Sequence, residues 1–208
     1  MNAAVRTSYR YTVFETNMGW VGILSSEKGL LRTTLPQYKP EYAAHLLGEK
    51  LAHATPSTFL FENTVKQLQS YYAGHSTSFT DNLDLSGATA FQYLVWEITR
   101  RIPYGETRSY SWVARQINNP RSMRAVGQAL GKNPLPVIIP CHRVISSDGT
   151  PGGFSGVPDM KKRLLAMEAT PAPPETYLNK MSLRGAQRRS NLSMFKAEIA
   201  TGTDVPSQ

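Results

Sequence analysis

The chemistry of this 208-residue chain centres on one cysteine, Cys141, which has no second cysteine to pair with and stands in Pro140-Cys141-His142-Arg143-Val144. A lone cysteine is by default a small buried hydrophobe. A nucleophilic one needs a base or a positive field to form the thiolate, and His142 and Arg143 bring one of each. In an extended segment adjacent side chains point to opposite faces, so His142 is expected to reach Cys141 through a bridging water. That placement disfavours a cysteine hydrolase, whose base touches the thiol directly. A histidine base also needs an acid to orient it, and the candidates that follow it are Asp148, Asp159 and Glu168. Glu168 ends a helical segment, where a carboxylate opposes the helix dipole and requires a compensating partner if buried, which makes it a reasonable acid for His142.

The elements that must position these residues follow from periodicity and turn chemistry. In residues 1–87, Tyr9 to Val13 forms a strand, and residues 20–24 and 30–35 form a hairpin around Ser25-Ser26-Glu27-Lys28-Gly29. Ala43, Leu46, Leu47 and Leu51 share one helical face, as do Phe61, Val65, Leu68 and Tyr72, with Gly74 ending the second helix. Phe79, Leu83 and Leu85 alternate like a last short strand. His45, His53 and His75 are unclustered and read as structural or surface residues. A boundary falls at Ser86-Gly87-Ala88.

Thr89 and Gln92 then form a capping box ahead of a stripe of Phe91, Leu94, Val95 and Ile98. A short helix over residues 111–117, a break at Asn118-Asn119-Pro120 and a helix over 120–130 with proline at its first position compose a helix-turn-helix candidate. Its second helix buries Met123, Val126 and Leu130 and leaves Arg121, Arg124, Ala125 and Gln128 open, a basic face of small residues that can approach DNA. Asn133 to Pro140 is too proline-rich for a helix and is expected to run extended. A Gly-rich loop over 148–156 and a last helix over 159–169 follow. Residues 171–208 lose periodicity and read as a flexible extension.

Composition bounds the setting. With 40% hydrophobic and 18% charged residues, 15 Gly and 14 Pro, collagen-like, heptad-repeat and highly charged disordered classes are excluded. One cysteine allows neither an internal disulfide nor a multi-thiolate zinc site. No apolar run approaches the ~20 residues of a membrane helix, and residues 1–14 lack the apolar stretch of a secretory signal, so a cytoplasmic protein without membrane partners is expected. The net charge of +8 is uneven: residues 1–87 hold seven Lys/Arg against seven Asp/Glu, whereas residues 88–170 hold eleven against five. The second segment is the one expected to face a polyanion. Lys161, Lys162 and Arg163 read as a solvated run or as nonspecific phosphate contacts.

From Thr89 to Glu168 the chain resembles the catalytic domain of the O6-alkylguanine-DNA alkyltransferases, the methylated-DNA–protein-cysteine methyltransferases. The resemblance is carried by Ile102-Pro103-Tyr104-Gly105-Glu106-Thr107 before a tyrosine, Arg124-Ala125-Val126-Gly127, Asn133-Pro134, Ile139-Pro140-Cys141-His142-Arg143-Val144 and Gly153-Phe154-Ser155-Gly156, in family order. Residues 1–87 resemble the family's variable N-terminal domain more loosely. The resemblance implies an α/β (α+β) chain. It would comprise a ribonuclease H-like N-terminal domain (1–87), a winged-helix or helix-turn-helix-like DNA-binding and alkyl-acceptor domain (88–170) and an extension (171–208).

The implied function is direct-reversal DNA repair. An alkyl group moves irreversibly from O6 of guanine, and by extension O4 of thymine, in double-stranded DNA to Cys141, once per protein molecule. His142 would be the water-mediated base, Glu168 would fix its tautomer, and Asn133 would tie the turns that present the site. Because the lesion is buried in the duplex, the base must be flipped. Tyr110 would rotate the target phosphate and protonate the guanine ring, and Arg124 would fill the vacated stack. The helix bearing Arg121, Ala125, Gly127 and Gln128 would enter the minor groove, with Ala129 also small enough to permit it. Pro136, Val144, Phe154, Ser155 and Gly156 would line the base pocket, with the Cys141 and Val144 carbonyls accepting from the exocyclic amine and the Ser155 amide meeting O6. The family commonly has tyrosine where Phe154 stands. No cofactor, no metal and no obligatory protein partner are implied, and a monomer is expected. The alternative is a noncatalytic protein that binds and signals alkylated DNA; such relatives lack the acceptor cysteine, so Cys141 speaks against it.

Overall fold

A computed structural model describes residues 8–152 and 159–170. Strands β1 (Tyr9–Thr16), β2 (Gly19–Ser26) and β3 (Gly29–Thr33) form an antiparallel meander, as the alternating sequence anticipates. The short β4 (Ala54–Pro56), with no sequence signal of its own, joins in parallel at the β1 edge and completes the order β3-β2-β1-β4. Alternation along β1 sends Phe14 into the main core with Val21, Ile23, Leu68 and Tyr71. It sends Tyr11 to the other face, with Leu24, Leu47 and Ala54.

The expected first helix is shorter than its apolar spacing suggests. Helix α1 (Pro40–His45) ends before Gly48, whose φ of 86° leaves helical space, and Leu51 lies in a separate 3₁₀ turn (Glu49–His53). Helix α2 (Glu62–Tyr72) forms as predicted, with Gly74 left-handed just past its end. Phe79, Leu83 and Leu85 pack against the core without forming a strand; Leu83 makes a single bridge to Leu30.

Helix α3 (Ala90–Arg100) opens with the predicted capping box, Thr89 and Gln92 each bonding the other's backbone, an arrangement worth about 1 kcal/mol. Its buried stripe is Val95, Trp96 and Thr99, so Leu94 faces solvent, a correction to the predicted face. The Trp96 indole selects that rotation by donating to the Ala129 carbonyl at 2.9 Å.

A two-residue β5 (Arg108–Ser109) leads into α4 (Tyr110–Gln116), capped by the Ser109 hydroxyl. Helix α5 (Met123–Gly131) begins three residues later than predicted. Asn118 is left-handed and the Ser122 amide bonds the Asn119 carbonyl, so the chain spends Pro120 in a turn. Met123, expected in the core, is exposed, and Ala129 is buried against α3 rather than open to a groove.

The largest departure is the proline-rich segment before the cysteine. It folds back instead of running extended: the Ile139 amide bonds the Leu135 carbonyl, and Pro136 bridges Ile139. Val137 sits at φ 75°, a left-handed conformation that costs a β-branched residue of order 1–3 kcal/mol. Residues 141–143 then form a 3₁₀ turn (Cys141–Arg143), followed by β6 (Val144–Ile145), which pairs in parallel with β5. Helix α6 (Met160–Ala169) closes the described chain.

Candidate functional site

Pairing of β6 with β5 is what assembles the site. Register Arg108↔Val144 and Ser109↔Ile145 places Tyr110, the first residue of α4, beside the turn that carries Cys141. A cavity of about 710 Å³ opens there, lined by Tyr110, Arg124, Gly127, Asn133, Pro136, Cys141 and Lys161 among others. The β2–β3 hairpin braces it from behind: the Thr33 amide and hydroxyl bond the Pro134 and Pro136 carbonyls at 3.0 and 3.2 Å.

Asn133 holds the turn together. Its side-chain oxygen accepts from the Leu135 amide at 2.9 Å, while Nδ2 donates to the Ile139 carbonyl at 2.8 Å and to Cys141 Sγ at 3.2 Å. Burial pushes the Cys141 thiol up, against the stabilising pull of the Asn133 amide and the Lys161 charge on its thiolate. A thiol in this position stays protonated until a base removes its proton.

The candidate base, His142, lies on the same 3₁₀ turn, buried. His142 Nε2 is 2.8 Å from Glu168 Oε1 and 3.1 Å from the Tyr71 hydroxyl, whereas Nδ1 is buried with no hydrogen-bond partner in the structure. Burial lowers the His142 pKa, and the Glu168 carboxylate opposes that shift without cancelling it. Burial by itself would raise Glu168, but hydrogen bonds from His142 and Arg143 overcome it and hold the carboxyl at about 2. An ionised carboxylate can only accept, so Nε2 carries the ring proton and Nδ1 offers the lone pair.

Arg143 does something other than the sequence suggested. It does not face the thiol: Nε and Nη2 clamp Glu168 at 2.8 and 2.9 Å, and Nη1 donates to the Ile102 carbonyl at 2.7 Å. This is the partner that a buried carboxylate at a helix C-terminus requires. The Gly105 amide, 3.0 Å from Glu168 Oε2, adds a further donor; Gly105 sits at φ 77°, a conformation a side chain would strain.

Lys161 corrects a second reading. Rather than standing in a solvated run, it is buried; its ammonium donates to the Val144 carbonyl at 2.7 Å and lies 3.4 Å from the Tyr110 hydroxyl, and burial lowers it to about 8. Lys162 stays exposed and pairs with Asp159 at 3.1 Å. Arg143 and Lys161 thus turn two of the second segment's cations inward, and the outward field comes from residues such as Arg121 and Arg124.

Of the residues read as DNA-facing, Arg124 and Gln128 are exposed on α5, Arg121 is exposed in the turn just ahead of it, and Ala125 and Gly127 are half-buried. Gly127 backs onto the Tyr110 ring, and Gly152 lies so close to the Tyr110 hydroxyl that a Cβ there would stand 3.2 Å from it. Val144, read as lining the base pocket, is fully buried and does not line the cavity, and its carbonyl accepts from the Lys161 ammonium. Phe154, Ser155 and Gly156 lie outside the described residues, as do residues 171–208. Sequence reasoning missed Tyr71, Arg143 as the Glu168 partner, and Lys161. Only Arg143 left a trace, by adjoining His142.

Residues 90–170 match the family model for the 6-O-methylguanine DNA methyltransferase DNA-binding domain. The methylated-DNA–protein-cysteine methyltransferase of Mycobacterium tuberculosis (strain ATCC 25618 / H37Rv) is 47% identical over 126 residues, 61% of this chain and 76% of that protein. The protein of the same name from Methanosarcina acetivorans is 36% identical over 164 residues, 77% of this chain and 98% of its own length. Among solved structures, the Mycobacterium tuberculosis OGT in complex with DNA superposes with a TM-score of 0.68 at 36% identity, covering 79% of this chain and 96% of that one.

Proposed function

Because the chain belongs to the methylated-DNA–protein-cysteine methyltransferase family, we propose direct-reversal DNA repair in which Cys141 is the alkyl acceptor. The family relationship makes alkylated double-stranded DNA the partner and S-alkylation of a protein cysteine the reaction. The observation that carries the residue assignment is the His142 tautomer: Nε2–H is committed to Glu168, so the unpartnered Nδ1 is the atom left to receive the thiol proton through a water. The thiolate sulfur then bonds the alkyl carbon, the carbon–O6 bond breaks, and its electron pair passes to guanine. Tyr110 supplies the proton that makes guanine a neutral leaving group, and the phenolate so formed lies beside the Lys161 ammonium. A thioether cannot be hydrolysed by these groups, so each molecule reacts once.

Arg124, at the cavity rim on α5, fills the stack left by the flipped base. Arg121, Gln128 and the small residues Ala125 and Gly127 form the surface that enters the minor groove, whose degenerate code suits a protein that must work in any sequence. In this reading residues 88–170 form a helix-turn-helix, winged-helix-like acceptor domain, residues 1–87 a ribonuclease H-like domain, and the protein acts in the cytoplasm. Among the described residues no helix is long and apolar enough to cross a membrane.

Incubation with a duplex containing O6-methylguanine, followed by peptide mass mapping, tests the assignment. One methyl group on Cys141 with stoichiometric loss of the lesion is expected; binding without transfer would favour the lesion-signalling alternative. Arg124→Ala is expected to slow transfer from the duplex about 100-fold, the equivalent of about 2–3 kcal/mol of unstacking, with a much smaller loss toward free O6-alkylguanine base. Equal losses on both substrates would remove the intercalating role.

A further inference from the structure

We propose that Tyr71, from the N-terminal half of the chain, is a positioning residue for the acceptor chemistry, its hydroxyl orienting Glu168 and fixing the proton on His142. The inference rests on the reading of Cys141 as acceptor and extends the set of groups that make it reactive.

Tyr71 lies on α2, fully buried, with its hydroxyl 2.6 Å from Glu168 Oε1 and 3.1 Å from His142 Nε2. A hydroxyl has one hydrogen, and the carboxylate, which cannot donate, takes it. What Tyr71 presents to Nε2 is therefore a lone pair. A histidine protonated on Nδ1 would aim the Nε2 lone pair at two oxygens that offer only lone pairs in return, so Tyr71 and Glu168 together select the Nε2–H form and leave Nδ1 as the base. Tyr71 also shares the charge on Oε1, which keeps that oxygen from drawing the Nε2 proton off the ring when His142 becomes an imidazolium. The groups whose charge reaches His142 are Glu168 and Lys161 from α6 and the adjacent Arg143; Tyr71 is the contribution of α2.

Ring packing and hydroxyl are separable. The Tyr71 ring is held edge-on by Tyr72 and Tyr104, with centroids at 5.3 and 6.1 Å, and beside Phe79 at 6.4 Å. These contacts aim the hydroxyl and survive its removal. Tyr71→Phe thus deletes one donor to Glu168, lets the carboxylate act more strongly on Nε2, and makes His142 more basic.

The test is the pH dependence of single-turnover methyl transfer from an O6-methylguanine duplex, on the full-length protein. For Tyr71→Phe the acid limb is expected to move up by about 0.5–1 pH unit, the equivalent of one modest hydrogen bond, and the neutral-pH rate to fall about 3- to 10-fold with duplex affinity unchanged. An unmoved limb, with only a lower Tm, would reduce Tyr71 to a structural residue and overturn the proposal. In the free wild-type protein, ¹⁵N shifts of the His142 ring should report Nε2–H; Nδ1–H would also overturn it, independently of any activity. If wild-type protein transfers no methyl group, it is the acceptor reading that fails, and the ring tautomer still decides the geometry claimed for Tyr71.

Discussion

Cys141→Ala is expected to abolish methyl transfer, by at least about 10⁴-fold, while leaving affinity for the lesion duplex within a fewfold of wild type. No second cysteine can take over. The side chains assigned to DNA are elsewhere: Arg124 and Gln128 stand on α5, Arg121 in the turn that leads into it, and Tyr110 heads α4. Asn133 keeps its bond to the Ile139 carbonyl when Sγ is gone, so the turn that presents residue 141 should persist. The variant becomes, in effect, the lesion-binding protein of the alternative reading. Gel-shift titration alongside a quench-flow transfer assay checks both halves. Transfer that persists in the variant would place the acceptor elsewhere, and collapse of binding with transfer would mean that Cys141 is needed for the fold of the pocket.

Glu168→Gln should cost the most stability of any single change at the site. Its carboxylate accepts from Tyr71, His142, Gly105 and twice from Arg143. A glutamine exchanges one acceptor oxygen for an NH₂ that meets donors, and leaves the buried Arg143 guanidinium without a counter-charge. Breaking such a pair from one side costs about 3–5 kcal/mol, which for a chain of this size corresponds to a fall in Tm of about 10 °C. The sign with pH follows from the same group. Glu168 is held at about 2 against an ordinary 4.5, so its contribution is complete above 4.5 and is lost as pH falls through 2. Urea unfolding of wild type should therefore weaken over that window, and the variant should lack this part of the slope. A variant within about 1 kcal/mol of wild type at neutral pH would show that Arg143 finds other compensation.

The chain's local signals match the fold where the physics is local. Thr89 and Gln92 cap α3 because both partners lie within one turn, and the β2–β3 hairpin follows from alternation around Gly29. Local reading failed where tertiary contacts outvote propensity. Pro120 is well suited to a first helical position, yet the turn that Asn118 and Asn119 make ahead of α5 uses it instead. Leu94 and Met123 belong to apolar stripes by spacing, but Trp96 and Ala129 set the rotation of the α3–α5 contact and turn both outward. The segment from Asn133 to Pro140 is non-helical, as its prolines require, but folds back rather than running extended, because Asn133 and Thr33 supply its carbonyls with partners that only a fold-back can reach.

The sequence alone determined which residues are proposed as the reagent and its base. A sole cysteine followed by a histidine, with the motifs around them in order, singles out the candidate nucleophile and base, because nucleophilicity and basicity belong to residue type. It also determined that positive charge gathers beyond residue 87. The tertiary structure decided the state of those groups: which nitrogen of His142 is left with a free lone pair, how Glu168 stays ionised where burial and a helix C-terminus both disfavour it, and why Lys161 and Arg143 face inward. Protonation and orientation depend on what surrounds a group within a few ångströms. Here those surroundings are Tyr71, Gly105, Asn133 and Arg143, brought together from distant parts of the chain.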